Sequence, residues 1–189
     1  MKTLKYFSLF LIILISCQRN LEKKTYYSSG ELKQTIVQDN ENSFLFTEYY
    51  QNGKKKSEGH VYNDNKAGQW KEWYIDGKIM WDGGYENNKR TINYKEQTPK
   101  ITMNDSSLDT IYSGISYPIR INLNGVHPSD MIISSNNGNI VPSNDKDSYD
   151  YIITPQKSGI LKIIVFVRKE GSMYKIGEKQ LIIKGDNPS

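Results

Sequence analysis

A short sequence motif occurs three times in this chain and constrains its fold more than any other feature. It consists of an aromatic residue, tyrosine, two variable residues, glycine and a charged residue. The glycines of the three copies are Gly30, Gly53 and Gly77, so the spacings are 23 and 24 residues. A second phrase begins at Tyr62 and again at Tyr85, also 23 residues apart. A fixed period in this range predicts a repeat array.

Turn chemistry indicates what each repeat unit is. Asn52-Gly53 and Asp76-Gly77 are strong signals for two-residue hairpin turns of type I′, which need positive φ at both central positions. The runs on either side of these turns are aromatic, β-branched or alternating, as is typical of strands. We therefore expect the repeat to be a β-hairpin.

The units also resemble a known repeat family. Residues 48–55 read EYYQNGKK, residues 68–78 read GQWKEWYIDGK, and residues 84–89 read GYENNK. They resemble the MORN repeat in the bacterial variant of YwqK-like proteins, over roughly residues 25–90. The opening unit departs from the pattern, because residues 38–43 lack its tyrosine and glycine. The resemblance implies an elongated meander of hairpins with a binding or scaffolding role.

The amino-acid composition changes after Thr98-Pro99. Tryptophan is absent from residue 100 onward, and short runs rich in isoleucine and valine are separated by turn residues such as Asn124-Gly125. The predicted strands cover residues 101–103, 119–123, 131–133, 151–154, 161–167 and 179–183. About ninety residues of short strands without a helical period predict a β-sandwich.

Four stretches of this second segment, within roughly residues 99–188, match a known family: 111–121 (IYSGISYPIRI), 123–126 (LNGV), 151–159 (YIITPQKSG) and 174–184 (YKIGEKQLIIK). They resemble the periplasmic domains of the gliding-motility protein GldM of type IX secretion. Tyr117 departs from the family, which commonly has asparagine there. The resemblance implies one Ig-like module without the motor role of the full family protein.

The N-terminus predicts a lipid anchor. Lys2 and Lys5 precede an apolar run at residues 6–15, which is too short to span a bilayer and is typical of a secretory signal. Residues 14–17 read LISC and resemble the lipobox of bacterial lipoproteins, so that resemblance implies lipid on Cys17, the chain's single cysteine. Two or three acyl chains would anchor the protein firmly.

The predicted organisation is all-β. It comprises a lipoprotein signal peptide at residues 1–16, a tether at 17–24, a MORN-like array at 25–97 and a GldM-like, Ig-like sandwich at 98–189. The change of texture near Thr98-Pro99 predicts that the two folded parts are separable by proteolysis at residues 97–100.

Charge and residue pattern argue against several functions. The formal charge is +4, and loss of Lys2 and Lys5 with the signal leaves +4 − 2 = +2, which is no nucleic-acid footprint. His60 and His127 lie in different predicted domains without a second metal ligand at the usual spacing. The acidic residues Asp145, Asp147 and Asp150 lack the EF-hand pattern and are interpreted as a solvated loop. We therefore expect no enzyme activity, metal or cofactor.

Six aromatic residues of the array have two interpretations. They are either the core of the repeat or an exposed surface that stacks on a protein or a glycan. The candidate surface comprises Tyr50, Trp70, Trp73, Tyr74, Trp81 and Tyr85.

These features predict a non-enzymatic envelope lipoprotein, expected on the outer membrane facing the periplasm, that binds or scaffolds gliding or type IX secretion components. The alternative is an immunity or antitoxin-like protein of a YwqK-type toxin system. The expected partners are envelope proteins, with a glycan as the other ligand class.

Overall fold

The computed structural model describes residues 21–92, 94–103, 106–107 and 109–185. The predicted signal peptide and the predicted lipid site Cys17 lie outside these residues. The described residues form β-strands and one 3₁₀ turn, Pro128–Asp130, without an α-helix, which confirms the all-β prediction. Within the described chain, no helix is long and apolar enough to cross a membrane.

The strands follow the chain in this order: β1 Glu22–Tyr26, β2 Leu32–Asn40, β3 Ser43–Tyr49, β4 Lys55–Tyr62, β5 Asn65–Trp73, β6 Ile79–Glu86, β7 Lys89–Thr91, β8 Lys100–Met103, β9 Ser106–Ser107, β10 Thr110–Tyr112, β11 Tyr117–Asn122, β12 Met131–Ser135, β13 Asn139–Pro142, β14 Tyr151–Thr154, β15 Gly159–Lys169 and β16 Ser172–Lys184.

Strands β1 to β7 form one antiparallel sheet in sequence order, which we call the hairpin array. It begins at Glu22, so the last residues of the predicted tether are strand. The weak opening unit nevertheless forms a hairpin from β2 and β3, with a register shift between Gln38 and Asn40. Pairing of β2 with β1 and of β3 with β4 stabilises this hairpin in place of the missing turn residues.

The turns at Asn52-Gly53 and Asp76-Gly77 are not the two-residue type I′ turns that the sequence predicts. Only Gly53 and Gly77 have positive φ there, +80° and +92°, and the N–H of each glycine donates to the carbonyl three residues before it. This is the longer hairpin loop with glycine in the left-handed position and a bulge beside it. The two-residue turns with both φ positive lie at the opposite ends of the strands, at Asn63-Asp64 and Asn87-Asn88.

Strands β8 to β16 form two further sheets, which together we call the C-terminal unit. One has the order β10-β16-β15-β12 and the other β13-β14-β11-β8-β9. The pairing of β10 with β16 is parallel and the other pairings are antiparallel. The six strands predicted in this segment are present, whereas the short strands β9, β10 and β13 were not predicted.

One hydrophobic cluster holds the two sheets of the C-terminal unit together. Alternate residues of β15 are buried, and they contact isoleucines of the other sheet such as Ile101 and Ile119. Each fully buried aliphatic side chain contributes about 1.5–3 kcal/mol. The array has a smaller aromatic cluster of Trp70, Trp81 and Tyr85. The array therefore depends more than the C-terminal unit on packing against residues outside its own sheet.

Candidate binding site between the hairpin array and the C-terminal unit

A series of tyrosine hydroxyls links each repeat to the next. Tyr27 donates to the carbonyl of Tyr49 at 2.6 Å, and Tyr50 donates to the carbonyl of Trp73 at 2.7 Å. Tyr74 holds the same position in the third unit, where the array provides no fourth turn. Its hydroxyl lies 2.8 and 2.9 Å from the two carboxylate oxygens of Asp150. The C-terminal unit thus takes the place of the next repeat.

Asp150 is a buried carboxylate with partners on both sides of the junction. It accepts from Tyr74 and from the backbone N–H of Ile121, at 2.7 Å. Burial raises the pKa of Asp150, and the bonds from Ile121 and Tyr74 oppose that rise only in part. Burial and the nearby charge of Asp150 also raise the pKa of Tyr74, so its hydroxyl keeps its proton.

The same turn makes two further contacts with the C-terminal unit. The backbone N–H of Ile75 donates to the carbonyl of Asp147 at 2.8 Å. The guanidinium of Arg120 lies 2.8 Å from the Asp76 carboxylate and 4.2 Å from the centre of the Tyr74 ring. Cation–π attraction and a partly buried ion pair therefore fix the turn between β5 and β6.

A second polar cluster joins the middle of the array to the start of β12. Nε2 of His127 lies 3.1 Å from Glu72, and Arg90 lies 3.7 Å from Glu72 and 3.4 Å from Asp130. Burial alone would raise the pKa of Glu72. The hydrogen bond and charge of His127, together with Arg90 and Lys66, outweigh burial, and the pKa lies below its usual range.

Ser129, His127 and Glu72 have the connectivity of a nucleophile, base and orienting acid. The Ser129 hydroxyl lies 2.7 Å from Nδ1 of His127, and Nε2 faces Glu72. However, the backbone N–H of Ser129 donates to the same Nδ1 at 3.0 Å, as a capping contact of the 3₁₀ turn. That bond occupies the lone pair with which a base would take the serine proton. The geometry therefore favours a structural role for the histidine.

A cleft of about 380 Å³ lies between these contacts. Its apolar walls are Tyr50, Trp73, Met80, Pro128, Met131, Pro142 and Tyr151, and its polar lining is Lys56, Glu72, His127, Ser129, Lys146, Asp147 and Asp150. Both halves of the molecule line it, and its size is within the range of ligand pockets. We call it the junction cleft.

The predicted aromatic surface is mostly core. Tyr50, Trp70, Tyr74, Trp81 and Tyr85 are at most 9% exposed, whereas Trp73 is half-buried. The rings pack edge to face, with Tyr85 5.6 Å from Trp70 and 5.5 Å from Trp81, and His127 covers Trp81. Of the two interpretations, the core of the repeat is therefore the one that burial supports for these five, which the C-terminal unit and the neighbouring rings cover. Only Tyr50 and Trp73 reach the junction cleft.

The residues of the C-terminal unit that form the junction were not among the predicted site residues. Asp145 and Asp147 are exposed, as a solvated loop requires, whereas Asp150 is 7% exposed and accepts a hydrogen bond from the array, so the expectation is wrong for Asp150. The acidic cluster was visible, but its partner Tyr74 lies 76 residues away. His60 pairs with Asp39 at 3.1 Å, and among the described residues no cluster of His, Cys, Asp and Glu could hold a metal ion.

No protein-family model matches this chain, and no curated protein matches it. The likeness of the array to MORN repeats and of the C-terminal unit to GldM domains therefore remains a proposal.

Proposed function

We propose that this protein is a non-enzymatic binding protein of the bacterial envelope that holds a segment of another envelope protein in its junction cleft. The observation that carries the proposal is the cleft itself, lined from both halves by aromatic, methionine and proline side chains. Methionine and aromatic side chains suit protein recognition, because the former adapt in shape and the latter bury large areas.

The polar groups of the cleft support binding more than chemistry. Glu72 is bonded by His127, and Asp150 is bonded by Tyr74 and Ile121. These acids are thus engaged in holding the two halves together. A ligand that enters the cleft would contact both halves at once, which suits a scaffold.

In this proposal the hairpin array is of the MORN type, and the two sheets of the C-terminal unit form an Ig-like sandwich of the GldM kind. Cys17 carries lipid and anchors the protein to a membrane, expected to be the outer membrane facing the periplasm. The antitoxin-like role remains the alternative, and the nature of the captured partner distinguishes the two.

Crosslinking in intact cells that produce the protein, followed by purification, tests the cleft. We expect Trp73→Ala to lose the wild-type partner, because the half-buried indole forms part of the cleft wall. Tyr62→Ala is the matched control, since Tyr62 is an aromatic residue, 48% exposed, outside the cleft. Equal capture by wild type and Trp73→Ala would refute the cleft as the binding site.

The anchor has its own test. Cys17→Ala should abolish the incorporation of labelled fatty acid and release the protein from the membrane fraction. Unchanged labelling in this variant would refute lipidation at Cys17.

A further inference from the structure

The sheets of the molecule end in six terminal strands, and most of them are poor templates for another strand. β7, β9 and β10 have only two or three residues, and β13 ends in Pro142, which lacks an N–H. β1 carries Lys23 and Lys24, and edge lysines discourage strand addition. These five edges are protected in the ways that natural sheets use.

β12 is the exception. Its sequence, MIISS, has neither charge nor proline, and among the described strands it pairs only with β15. The N–H of Asn136 bonds the carbonyl of Lys162 on β15. Because backbone groups alternate in direction along an antiparallel strand, Ile132 and Ser134 also face β15, whereas Ile133 and Ser135 point away from it. This edge therefore offers backbone donors and acceptors to a further strand.

The open edge leads into the junction cleft. Met131, the first residue of β12, is also part of the cleft wall, which Pro128 and, from the array, Trp73 and Met80 also line. A chain that pairs with β12 and continues past Met131 would reach these apolar side chains. Strand addition supplies affinity through the backbone, and a pocket for a side chain supplies selectivity.

The charged side chains of the cleft are mixed in sign, with Lys56 and Lys146 on the same lining as Glu72, Asp147 and Asp150. Charge therefore does not select the partner segment, and selectivity comes from the apolar side chain that enters the cleft.

We propose that the partner contributes an extended segment that pairs with β12 and inserts an apolar side chain into the junction cleft. This inference rests on the proposed function and adds the recognition mode. It requires the outward N–H groups of Ile133 and Ser135 to become hydrogen-bonded when the partner binds, while those of Ile132 and Ser134 are bonded to β15 throughout.

The segment is identified by photo-crosslinking in the cells that produce the protein. A benzophenone amino acid replaces Ser134, which is exposed on β12, or Thr110, which is exposed on β10 at the other end of the same sheet. We expect a partner crosslink from position 134 that is lost in Trp73→Ala, and none from position 110. Mass spectrometry of the crosslinked peptide then gives the sequence of the segment.

A synthetic peptide of that sequence tests the geometry by amide hydrogen exchange. We expect exchange at Ile133 and Ser135 to slow at least tenfold with the peptide, and exchange at Ile132 and Ser134 to change little. Absence of a crosslink from position 134, or unchanged exchange at Ile133 and Ser135, would overturn this mode. If Trp73→Ala still abolished partner capture, the proposed function would stand without strand pairing at β12.

Discussion

At the scale of single residues, a few buried polar groups decide how the two halves meet. Asp150 bonds the last tyrosine of the series, and Glu72 bonds His127 across the junction. Removing one partner from a buried hydrogen-bonded charge is costly, because the charge that remains has lost its compensation. The array and the C-terminal unit are therefore coupled by specific bonds as well as by apolar contact.

We expect Tyr74→Phe to lower the free energy of unfolding by about 1–3 kcal/mol, because the buried Asp150 carboxylate loses a hydrogen bond. Urea denaturation of the mature protein measures the change. Tyr62→Phe, which removes a hydroxyl at an exposed site, should change stability by less than about 0.5 kcal/mol. Equal effects of the two substitutions would contradict the role of Asp150.

Glu72 should make part of the stability dependent on pH. Its pKa is lower in the folded protein than the ordinary value of about 4.3, so its contribution is present above that value. The contribution is lost as the pH falls through the folded-state pKa. We therefore expect the stability difference between wild type and Glu72→Gln to shrink as the pH falls below about 4. Glu86→Gln, at an exposed position, is the control, and a difference that does not depend on pH would disprove the assignment.

At the scale of strands, the array depends on close approach between glycine and tryptophan. Gly59 on β4 lies opposite Trp70 on β5, and a Cβ at position 59 would overlap the indole ring. Gly83 accommodates Trp81 in the same way. The large rings fill a thin sheet only because these positions have no side chain.

Gly59→Ala should therefore destabilise the protein by about 1–3 kcal/mol through overpacking against Trp70. Gly185→Ala is the control, since no atom lies within 4 Å of its Cβ position and its φ is ordinary. Denaturation followed by tryptophan fluorescence measures both variants. A Gly59→Ala protein as stable as the control would show that the Trp70 ring can move aside.

At the scale of the whole molecule, residues 97–100 are packed against the C-terminal unit and are not the exposed linker that the sequence predicts. The backbone of Gln97 donates to the carbonyl of Ile176, its side chain exchanges two hydrogen bonds with Asn124, and Pro99 is buried. Ile92 packs on the core of the C-terminal unit. The chain that connects the two halves is thus part of the packed structure.

We consequently expect limited proteolysis to leave residues 97–100 intact in the wild-type protein, contrary to the expectation from sequence, because cleavage needs exposed and mobile backbone. The double variant Tyr74→Phe/Asp150→Ala should weaken the junction and yield separate fragments at the same protease dose. Mass spectrometry of the digests measures this. Prompt cleavage of the wild type at this site would mean that the halves are independent.

The sequence by itself determined the local elements of this protein. The turn residues of the repeat predicted hairpins, and runs rich in isoleucine and valine predicted the strands β11, β14 and β15, because these signals arise between neighbours along the chain. The turn types did not follow the Asn-Gly and Asp-Gly signals, since the two-residue turns with both φ positive lie at Asn63-Asp64 and Asn87-Asn88.

Only the tertiary structure decided which aromatic residues are covered and where a cleft remains. Tryptophan and tyrosine are also the residue types of an exposed stacking surface. The burial of Trp70, Trp81 and Tyr85 depends on a second unit that lies far along the chain. Asp150 likewise reads as a solvated loop until Tyr74 is placed beside it. Contacts between residues so distant in sequence leave no period or spacing, and the fold alone brings them together.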